Sequence, residues 1–480
     1  MNKSVEKNYF YNLIYQIVAI IIPIVTTPYI SRVLGAENIG IYGYTLSISA
    51  YFILFGSLGV ALYGKREIAY VQGNKENYTK IFWEVFLLRT ITMIISLLLF
   101  YIILIRNNNA YTLYFKILTL ELIGEAIDIS WFFQGLEDFK RTVIRNLLVK
   151  LISLVCIFIF VKKPNDLVIY FLIYVLSILI GNLSLWLYLP KYLVKINVKS
   201  FNVFKHLKHT LVLFIPQIAV QIYTVLDRTM IGYFITNKSE VGFYTQSEKI
   251  VKLLLTIITA MGTVMLPRIA NEFSKGNMKS IKNHISKSMN LVYFLSFPLI
   301  FGLISVNDAF VPVFFGKGYE PVIFIMNVIS PIILLIGMSN VIGVQFLLPT
   351  KHQKEYTYSV VFGAIVNFIM DYILIRRLGA VGAAIGTVVA ETVVTVSQLL
   401  FVRKQLDIKQ ILFSTWQYFL SAIIMFSGLL FIREYIDNNI TSIAIQVIVG
   451  IIIYFACLLL LKNTFITEYI YLFKKKIHKL

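Results

Sequence analysis

Three carboxylates lie within one apolar stretch of the chain, at Glu121, Glu125 and Asp128. Their spacing of i, i+4 and i+7 would place all three on one face of a helix. Carboxylates in such a setting can pair with buried cations, or they can take up a proton or Na⁺. The stripe is therefore a candidate for charge pairing or for ion coupling.

Cationic and neutral polar side chains recur in the other apolar stretches. Arg and Lys are the usual protein partners of phosphate, so these cations could hold an anionic substrate. Two of the charged residues, Glu248 and Lys252, are spaced i, i+4 and could pair with each other. The further candidates are the cations Arg32, Arg89, Lys150, Arg228 and Lys252, the acids Asp227, Glu248 and Glu391, and the neutral residues Asn12, Gln16, Gln217, Gln221 and Thr224.

The composition places these residues in a membrane protein. The chain has 480 residues, of which 58% are hydrophobic and 14% are charged, whereas a soluble domain carries about 25% charged residues. Apolar runs of about 20 residues, long enough to cross a hydrocarbon core, recur along the chain. They predict an all-α polytopic membrane protein with about 14 transmembrane helices. The predicted spans are 9–33, 40–63, 81–105, 111–134, 142–161, 167–189, 210–235, 243–267, 285–306, 321–348, 355–375, 380–402, 411–432 and 440–461.

The polar candidates are spread over many of these spans. A charge at mid-bilayer costs about 2.5 kcal/mol or more, so it usually faces protein or water. A single buried ion pair would not need so many groups, and the set as a whole favours a water-filled polar cavity. For each residue taken alone, pairing inside the protein is an open alternative, for example between Arg89 or Lys150 and the carboxylate stripe.

The loops predict the orientation. Lys and Arg are concentrated in alternate loops, with about 27 on one side and about 8 on the other. The positive-inside rule makes the richer side cytoplasmic, and an even number of spans then puts both termini there. The net charge of +20 is thus explained by topology and by attraction to anionic membrane lipids, and no nucleic-acid partner is predicted.

The residue types give little indication of a metal site or of an enzyme active site. Cys156 and Cys457 lie far apart, and the chain has no HExxH string or Cys/His cluster. No loop is long enough to form a soluble catalytic domain. We therefore predict no metal site, no catalytic residue and no cofactor other than coupling H⁺ or Na⁺.

A short repeat suggests two related halves. The strings "ENIGIYGYTLS" and "SEVGFYTQSEK" place Gly40 and Gly242 in similar surroundings, each at the start of a predicted span. Six spans separate them, so both copies have the same orientation in the membrane. We predict a first lobe over residues 1–200, a second over 201–408, and two further helices with a basic cytoplasmic tail over 409–480.

Five longer strings stand out along the chain. They are "ISRVLGAENIGIYGY" (30–44), "DISWFFQGLEDFKRTVIRN" (128–146), "VLDRTMIGYF" (225–234), "GTVMLPRIANEFSKG" (262–276) and "QFLLPTKHQKEYTYSVVFGAIVNFIMDYILIRRLGAVGAAIGT" (345–387). In the order in which they occur, they resemble motifs of bacterial lipid-linked oligosaccharide flippases, which move polysaccharide repeat units, and the resemblance covers nearly the whole chain. Such flippases belong to the multidrug/oligosaccharidyl-lipid/polysaccharide exporter superfamily, together with lipid II flippases and multidrug/toxin extrusion transporters.

This resemblance implies two six-helix lobes, two extra helices and a place in the bacterial cytoplasmic membrane. It implies translocation of an undecaprenyl-pyrophosphate-linked repeat unit by alternating access, for a surface polymer such as capsule or O-antigen. By motif position, Arg32 and Arg228 are similar to the cavity arginines of lipid II flippases. A polysaccharide polymerase and other assembly proteins are further partners that the resemblance suggests.

Two other functions remain as alternatives. A cation-coupled drug antiporter of the same superfamily would need a dominant acidic site with few cations, unlike the mixed charges seen here. A membrane-embedded polysaccharide polymerase or glycosyltransferase would need a catalytic domain or a large outer loop. A substrate assay with cationic dyes and a topology map would separate these alternatives from the flippase.

Overall fold

The computed structural model describes residues 3–197, 201–413, 415–435, 439–463 and 465–467. Over these residues the chain is predominantly helical and contains no β-strand. Eleven helices among them are long and apolar enough to cross a membrane. The prediction of an all-α polytopic membrane protein is confirmed, and each of the predicted spans is helical over most of its length.

The contacts divide the chain into two compact units, Met1–Gly242 and Phe243–Leu480. The predicted lobes, which end at residues 200 and 408, rest on the sequence repeat rather than on contacts, and they stay a prediction. The first unit contains α1 (Lys3–Ser57), α2 (Val60–Tyr70), α3 (Lys75–Phe100), α4 (Thr112–Ala126), α5 (Ser130–Gly135), α6 (Phe139–Phe160), α7 (Leu167–Trp186) and α8 (Leu207–Phe234).

Helix α1 joins two of the predicted spans without the loop expected between them. The helical conformation is interrupted at Gly35, which has φ 77° and ψ 168°. A residue without Cβ adopts this positive φ at little cost, so a single glycine suffices for the bend. Helix resumes on both sides of it, and α1 ends before Leu58 and Gly59, which have φ of 47° and 72°.

The predicted span 111–134 is broken in the structure. Helix α4 ends at Ala126 and α5 begins at Ser130, so Asp128 lies in the break rather than on the helix. The Asp128 carboxylate accepts hydrogen bonds from the Ser130 backbone N–H at 2.9 Å and from its hydroxyl at 3.0 Å. An Asp side chain that bonds the backbone two residues on favours a turn over helix. The prediction that all three acids share one helical face is therefore wrong for Asp128.

A core of aromatic and aliphatic side chains packs this broken segment against the neighbouring helices. Trp131, Phe132 and Phe133 from α5 are buried against residues of α2, α3 and α7, among them Phe82 and Leu185. The ring centroids of Phe82 and Phe132 lie 4.9 Å apart. Burial of these large side chains directly after the break positions the segment that carries Asp128.

Two long helices of the second unit, α9 and α10, extend beyond their predicted spans. α10 begins at an Asn277 cap, whose side chain accepts a hydrogen bond from the Ser280 N–H at 3.1 Å. Hydropathy indicates where a span leaves the membrane, whereas the capped helix begins before that point. The helices are α9 (Ser239–Ser274), whose residues up to Gly242 belong to the first unit, α10 (Met278–Phe315), α11 (Pro321–Ile329), α12 (Ile332–Ser339), α13 (Gln353–Leu378), α14 (Ala380–Val402), α15 (Ile408–Phe413), α16 (Trp416–Arg433) and α17 (Ile440–Leu460).

Candidate functional site in the first unit

Arg89 is paired inside the protein. Its side chain on α3 is only 2% exposed, and its guanidinium lies 3.2 Å from the Glu125 carboxylate and 3.7 Å from that of Asp128. It also donates a hydrogen bond to the Asp128 carbonyl at 3.3 Å. Of the two readings left open for Arg89, the structure favours internal pairing. The arginine holds the α4–α5 break in place, because it bonds both ends of it.

Glu121 has different partners, although it lies one turn from Glu125. It is buried and accepts hydrogen bonds from the Ser49 hydroxyl on α1 at 2.9 Å and from the Tyr174 hydroxyl on α7 at 2.8 Å. Two hydroxyl donors can serve the ionised or the protonated carboxyl group, since a hydroxyl can rotate its proton. Glu121 is therefore better suited to exchange a proton than an acid locked to an arginine.

A cavity of about 440 Å³ opens beside these acids, within the first unit. It lies between parts of α1, α4, α6 and α7, and most of its lining is apolar. Its polar lining combines one carboxylate, two cations, two phenols, two amides and three aliphatic hydroxyls. These residues are Glu125, Arg145, Lys150, Tyr170, Tyr174, Asn146, Asn182, Thr26, Ser153 and Ser177.

The cation Arg145 was missed by the sequence analysis. Its guanidinium donates a hydrogen bond to the Asn182 side chain at 2.5 Å, and Asn182 in turn donates to the Gly124 carbonyl at 2.8 Å. This chain of bonds joins α6 to α7 and α4. Arg145 lies within the recognised string "KRTVIRN", near the start of a predicted span, where basic residues usually mark a membrane boundary. For this reason nothing in the sequence indicated that Arg145 lines the cavity. Lys150 lies further along the span and was among the predicted cavity cations.

Aromatic rings line the cavity near Glu121. The Tyr42 ring lies 4.7 Å from that of Tyr170 and 5.7 Å from that of Tyr174, measured between centroids. Phenols present an apolar face and a hydrogen-bonding tip. Together with the carboxylate and the two cations of the lining, they give a site that can take a polar, charged group and surround it with apolar contact.

The remaining candidates of the first unit lie on α1 and α8. Arg32 is exposed, and Asp227 is buried next to the half-buried Arg228. Gln217 donates to the Leu213 carbonyl at 3.2 Å and Thr224 to the Gln221 carbonyl at 2.9 Å, within their own helix. Asn12 and Gln16 also belong to α1, but their side chains fall outside those that the structure describes.

The other three candidates belong to the second unit. Glu248 and Lys252 form the predicted pair, with 2.5 Å between carboxylate oxygen and ammonium nitrogen. Glu391 is buried on α14. Two further residues of α13, Asn367 and Asp371, are buried, and a Cβ added to Gly386 would collide with the Asp371 carboxylate.

Another buried acid of the first unit, Glu84, holds the segment that leads into α8. Its carboxylate contacts the Lys205 ammonium at 2.7 Å and the His206 ring at 2.8 Å, and it accepts the Asn202 N–H at 2.8 Å. The other ring nitrogen of His206 lies 2.6 Å from the Tyr63 hydroxyl. Burial lowers the pKa of His206, although the hydrogen bond with Glu84 opposes that effect.

Comparison with known proteins identifies one matching family and several similar proteins. Residues 5–273 match the profile of a family described as "Polysaccharide biosynthesis protein". The chain is 26% identical over 404 residues to the putative O-antigen transporter of Escherichia coli K12, covering 83% of this chain and 97% of the relative. It is 24% identical over 208 residues to the probable low-salt glycan biosynthesis flippase Agl15 of Haloferax volcanii, covering 43% of each chain.

Two solved structures share the fold. One is the lipid II flippase MurJ in an inward closed conformation, with a TM-score of 0.73, 17% identity and coverage of 95% of this chain and 100% of that one. The other is an inward-facing multidrug resistance MATE family transporter of the MOP superfamily, with a TM-score of 0.65, 15% identity and coverage of 86% and 95%. At such identities the likeness concerns the fold alone.

Proposed function

The chain belongs to the polysaccharide biosynthesis protein family, and we propose that it is a flippase that moves a lipid-linked oligosaccharide across the membrane. The resemblance predicted from its motifs is confirmed. The observation that carries the proposal is the cavity of about 440 Å³, which Arg145 and Lys150 line together with a surface that is mostly apolar. Named relatives that are transporters or flippases support it, and they also support the prediction that the chain is not an enzyme.

The substrate that fits this cavity is an oligosaccharide joined to a polyprenyl pyrophosphate. Arg and Lys are suited to a pyrophosphate, since charge-assisted hydrogen bonds to its oxygens are strong. Lys150 keeps the role that the sequence analysis gave it, and Arg145 replaces Arg89, whose guanidinium contacts two carboxylates. Arg32 and Arg228 remain candidates for a further anion contact, because their motif positions suggest it. The polyprenyl tail stays in the lipid while the headgroup crosses.

Transport by alternating access requires that the empty protein return to the conformation that accepts substrate. We assign the coupling of this step to H⁺ or Na⁺, with Glu121 as the first candidate because its partners are neutral hydroxyls. A carboxyl group that is not held by a cation can change its protonation state without breaking an ion pair. No other cofactor enters this proposal.

The orientation proposed for the chain has both termini in the cytoplasm of a bacterium, with the protein in the cytoplasmic membrane. The excess of Lys and Arg in alternate loops supports it. A single cysteine placed in a chain that lacks Cys156 and Cys457 tests it. Lys163→Cys should react with a membrane-impermeant maleimide in intact cells, and Lys404→Cys should react only after the cells are opened. The reverse pattern would overturn the orientation.

The test of the function uses a strain whose surface polymer depends on this gene. Loss of the gene should stop export and leave lipid-linked repeat units on the cytoplasmic leaflet. Lys150→Gln and Arg145→Gln should reproduce this defect at a normal protein level. Lys116→Gln, which removes an exposed cation of α4 outside the cavity, is the matched control. Normal export by both cavity variants would reject the anion site, and energised efflux of cationic dyes would instead favour the drug antiporter.

The lipid-linked product must pass to a polymerase or another assembly protein. We propose such a partner on the chemistry of the pathway alone, since a single flipped repeat unit is not yet a polymer. Crosslinking in cells that make the polymer, followed by recovery of the chain, would identify it. Recovery of the same proteins with an unrelated membrane protein of similar abundance would argue against a specific assembly.

A further inference from the structure

A groove of about 500 Å³ runs between α6 and α7 of the first unit. The proposed transport function assigns no role to it. One end carries the charged residues, Lys140, Arg141 and Arg145 together with Asp138. In the predicted orientation this end lies at the cytoplasmic surface, because it contains the start of α6 and the end of α7. Three cations and one acid leave a net charge of +2 at that end.

The opposite end of the groove is apolar and exposed. Ile144, Leu148 and Ile152 follow one another at intervals of four residues on α6, and Ile180 faces them from α7. More than half of each of the Leu148, Ile152 and Ile180 side chains is exposed. Eight residues of helix advance about 12 Å, which corresponds to a large part of one leaflet. The groove thus changes from cationic at the surface to apolar towards the bilayer centre.

Contacts with neighbouring side chains fix the position of Arg141 at the charged end of the groove. The Arg141 guanidinium lies 2.6 Å from the Asp138 carboxylate, which also accepts a hydrogen bond from the Tyr192 hydroxyl at 2.6 Å. The same guanidinium lies over the Tyr188 ring at 4.5 Å and the Tyr192 ring at 5.1 Å. Three side chains, those of Asp138, Tyr188 and Tyr192, therefore hold Arg141 in one place, which reduces the entropy lost when an anion binds.

We propose that this groove binds an anionic phospholipid of the cytoplasmic leaflet, with its phosphate at Lys140 and Arg141 and an acyl chain along Leu148 and Ile152. The order of charge and apolar surface along the groove matches the order of headgroup and chain in such a lipid. A zwitterionic lipid would leave the charge of +2 unbalanced. Because Arg145 and Val149 line both this groove and the cavity, a bound lipid would lie next to the cation assigned to the substrate.

Lipid binding can be measured on the purified full chain, without any transport assay, so the result does not depend on the proposed function. Native mass spectrometry with phosphatidylglycerol and phosphatidylcholine gives the preference for the anionic headgroup. The double variant Lys140→Gln, Arg141→Gln should lose about 25-fold in phosphatidylglycerol affinity, because each such cation contributes about fivefold. Lys162→Gln with Lys163→Gln, at the other end of the same two helices, is the matched control.

A second variant tests the apolar half and keeps the charges. Leu148→Trp should fill the groove and weaken phosphatidylglycerol binding, whereas Leu151→Trp, on an exposed face of α6 outside the groove, should not. The proposal would be overturned if the two double variants lost phosphatidylglycerol affinity equally, or if Leu148→Trp left that affinity unchanged. Displacement of phosphatidylglycerol by stoichiometric polyprenyl pyrophosphate, but not by free phosphate, would assign the groove to the transported lipid instead.

Discussion

Gly40 and Gly242 pack against each other, backbone to backbone. A Cβ added to Gly40 would collide with the Lys238 carbonyl oxygen and lie 3.1 Å from the Gly242 nitrogen. A Cβ added to Gly242 would collide with the Ala36 carbonyl oxygen and lie 3.2 Å from the Gly40 nitrogen. The two glycines that marked the sequence repeat are therefore neighbours in space, and each makes room for the segment that carries the other.

Substitution of either glycine should destabilise the first unit. For Gly40→Val we expect a loss of about 1–3 kcal/mol or more, because the added atoms meet main-chain oxygen rather than a flexible side chain. Thermal unfolding of the purified protein measures it. Gly73→Ala is the control, since a Cβ there has nothing within 4 Å. An unchanged unfolding midpoint in Gly40→Val would show that the two segments can move apart without cost.

Arg89 should prove structural rather than a substrate contact. Arg89→Leu leaves the half-buried carboxylates of Glu125 and Asp128, whose side chains are 30% and 15% exposed, without their buried cation. Removing one partner of a fully buried pair costs about 3–5 kcal/mol, and the partial exposure of the two acids reduces the expected loss below that range. We expect low yield and a reduced unfolding temperature. Arg89→Leu combined with Glu125→Gln should recover part of the lost stability, because one of the two uncompensated charges is then gone.

Export assays separate this role from that of the cavity cations. The Lys150→Gln variant should fold normally but not support export. The Arg89→Leu variant should fold poorly and should not support export either. If Arg89→Leu were as stable as the unaltered chain yet inactive, the arginine would return to the list of substrate contacts. The contrast between the two variants thus tests the assignment of the anion site.

The spans were predictable because the bilayer requires long apolar helices, and each helix carries that requirement in its own sequence. The site was only partly predictable. Arg89 and Glu125 are 36 positions apart, and nothing local to either residue shows that they meet. Asp128 was misplaced because its bonds to Ser130 end the helix within an apolar run. Pairing across helices depends on packing, which periodicity does not encode.

Glu121→Gln tests ion coupling. Gln has the shape of Glu and can still accept one hydroxyl hydrogen bond, but it cannot release or bind a proton near neutral pH. We expect the variant to reach the membrane at a normal level and to lose the dependence of export on the proton gradient. Glu76→Gln, at an exposed position of α3, is the control. Export that still follows the gradient in Glu121→Gln would show that the acid is structural.

His206 should make the stability of the first unit depend on pH. Burial lowers its pKa in the folded protein below the unfolded value of about 6.5. Between the two pKa values the unfolded state binds a proton that the folded state does not, so stability falls as pH decreases from about 7 towards the folded pKa. The stabilising contribution is present above the unfolded pKa and is lost on acidification. The thermal unfolding midpoint, followed from pH 8 to pH 5, measures this loss.

The comparison with two variants isolates this histidine from the acids, which also titrate as the pH falls. His206→Gln can hydrogen-bond to Glu84 but does not titrate, so its unfolding midpoint should fall less between pH 7 and pH 5 than that of the unaltered chain. His209→Gln, which changes an exposed histidine three residues on, should keep the original slope. Because Glu84 holds Lys205 and His206 together at the entry to α8, a slope unchanged in His206→Gln would mean that this segment detaches from Glu84 before the unit unfolds.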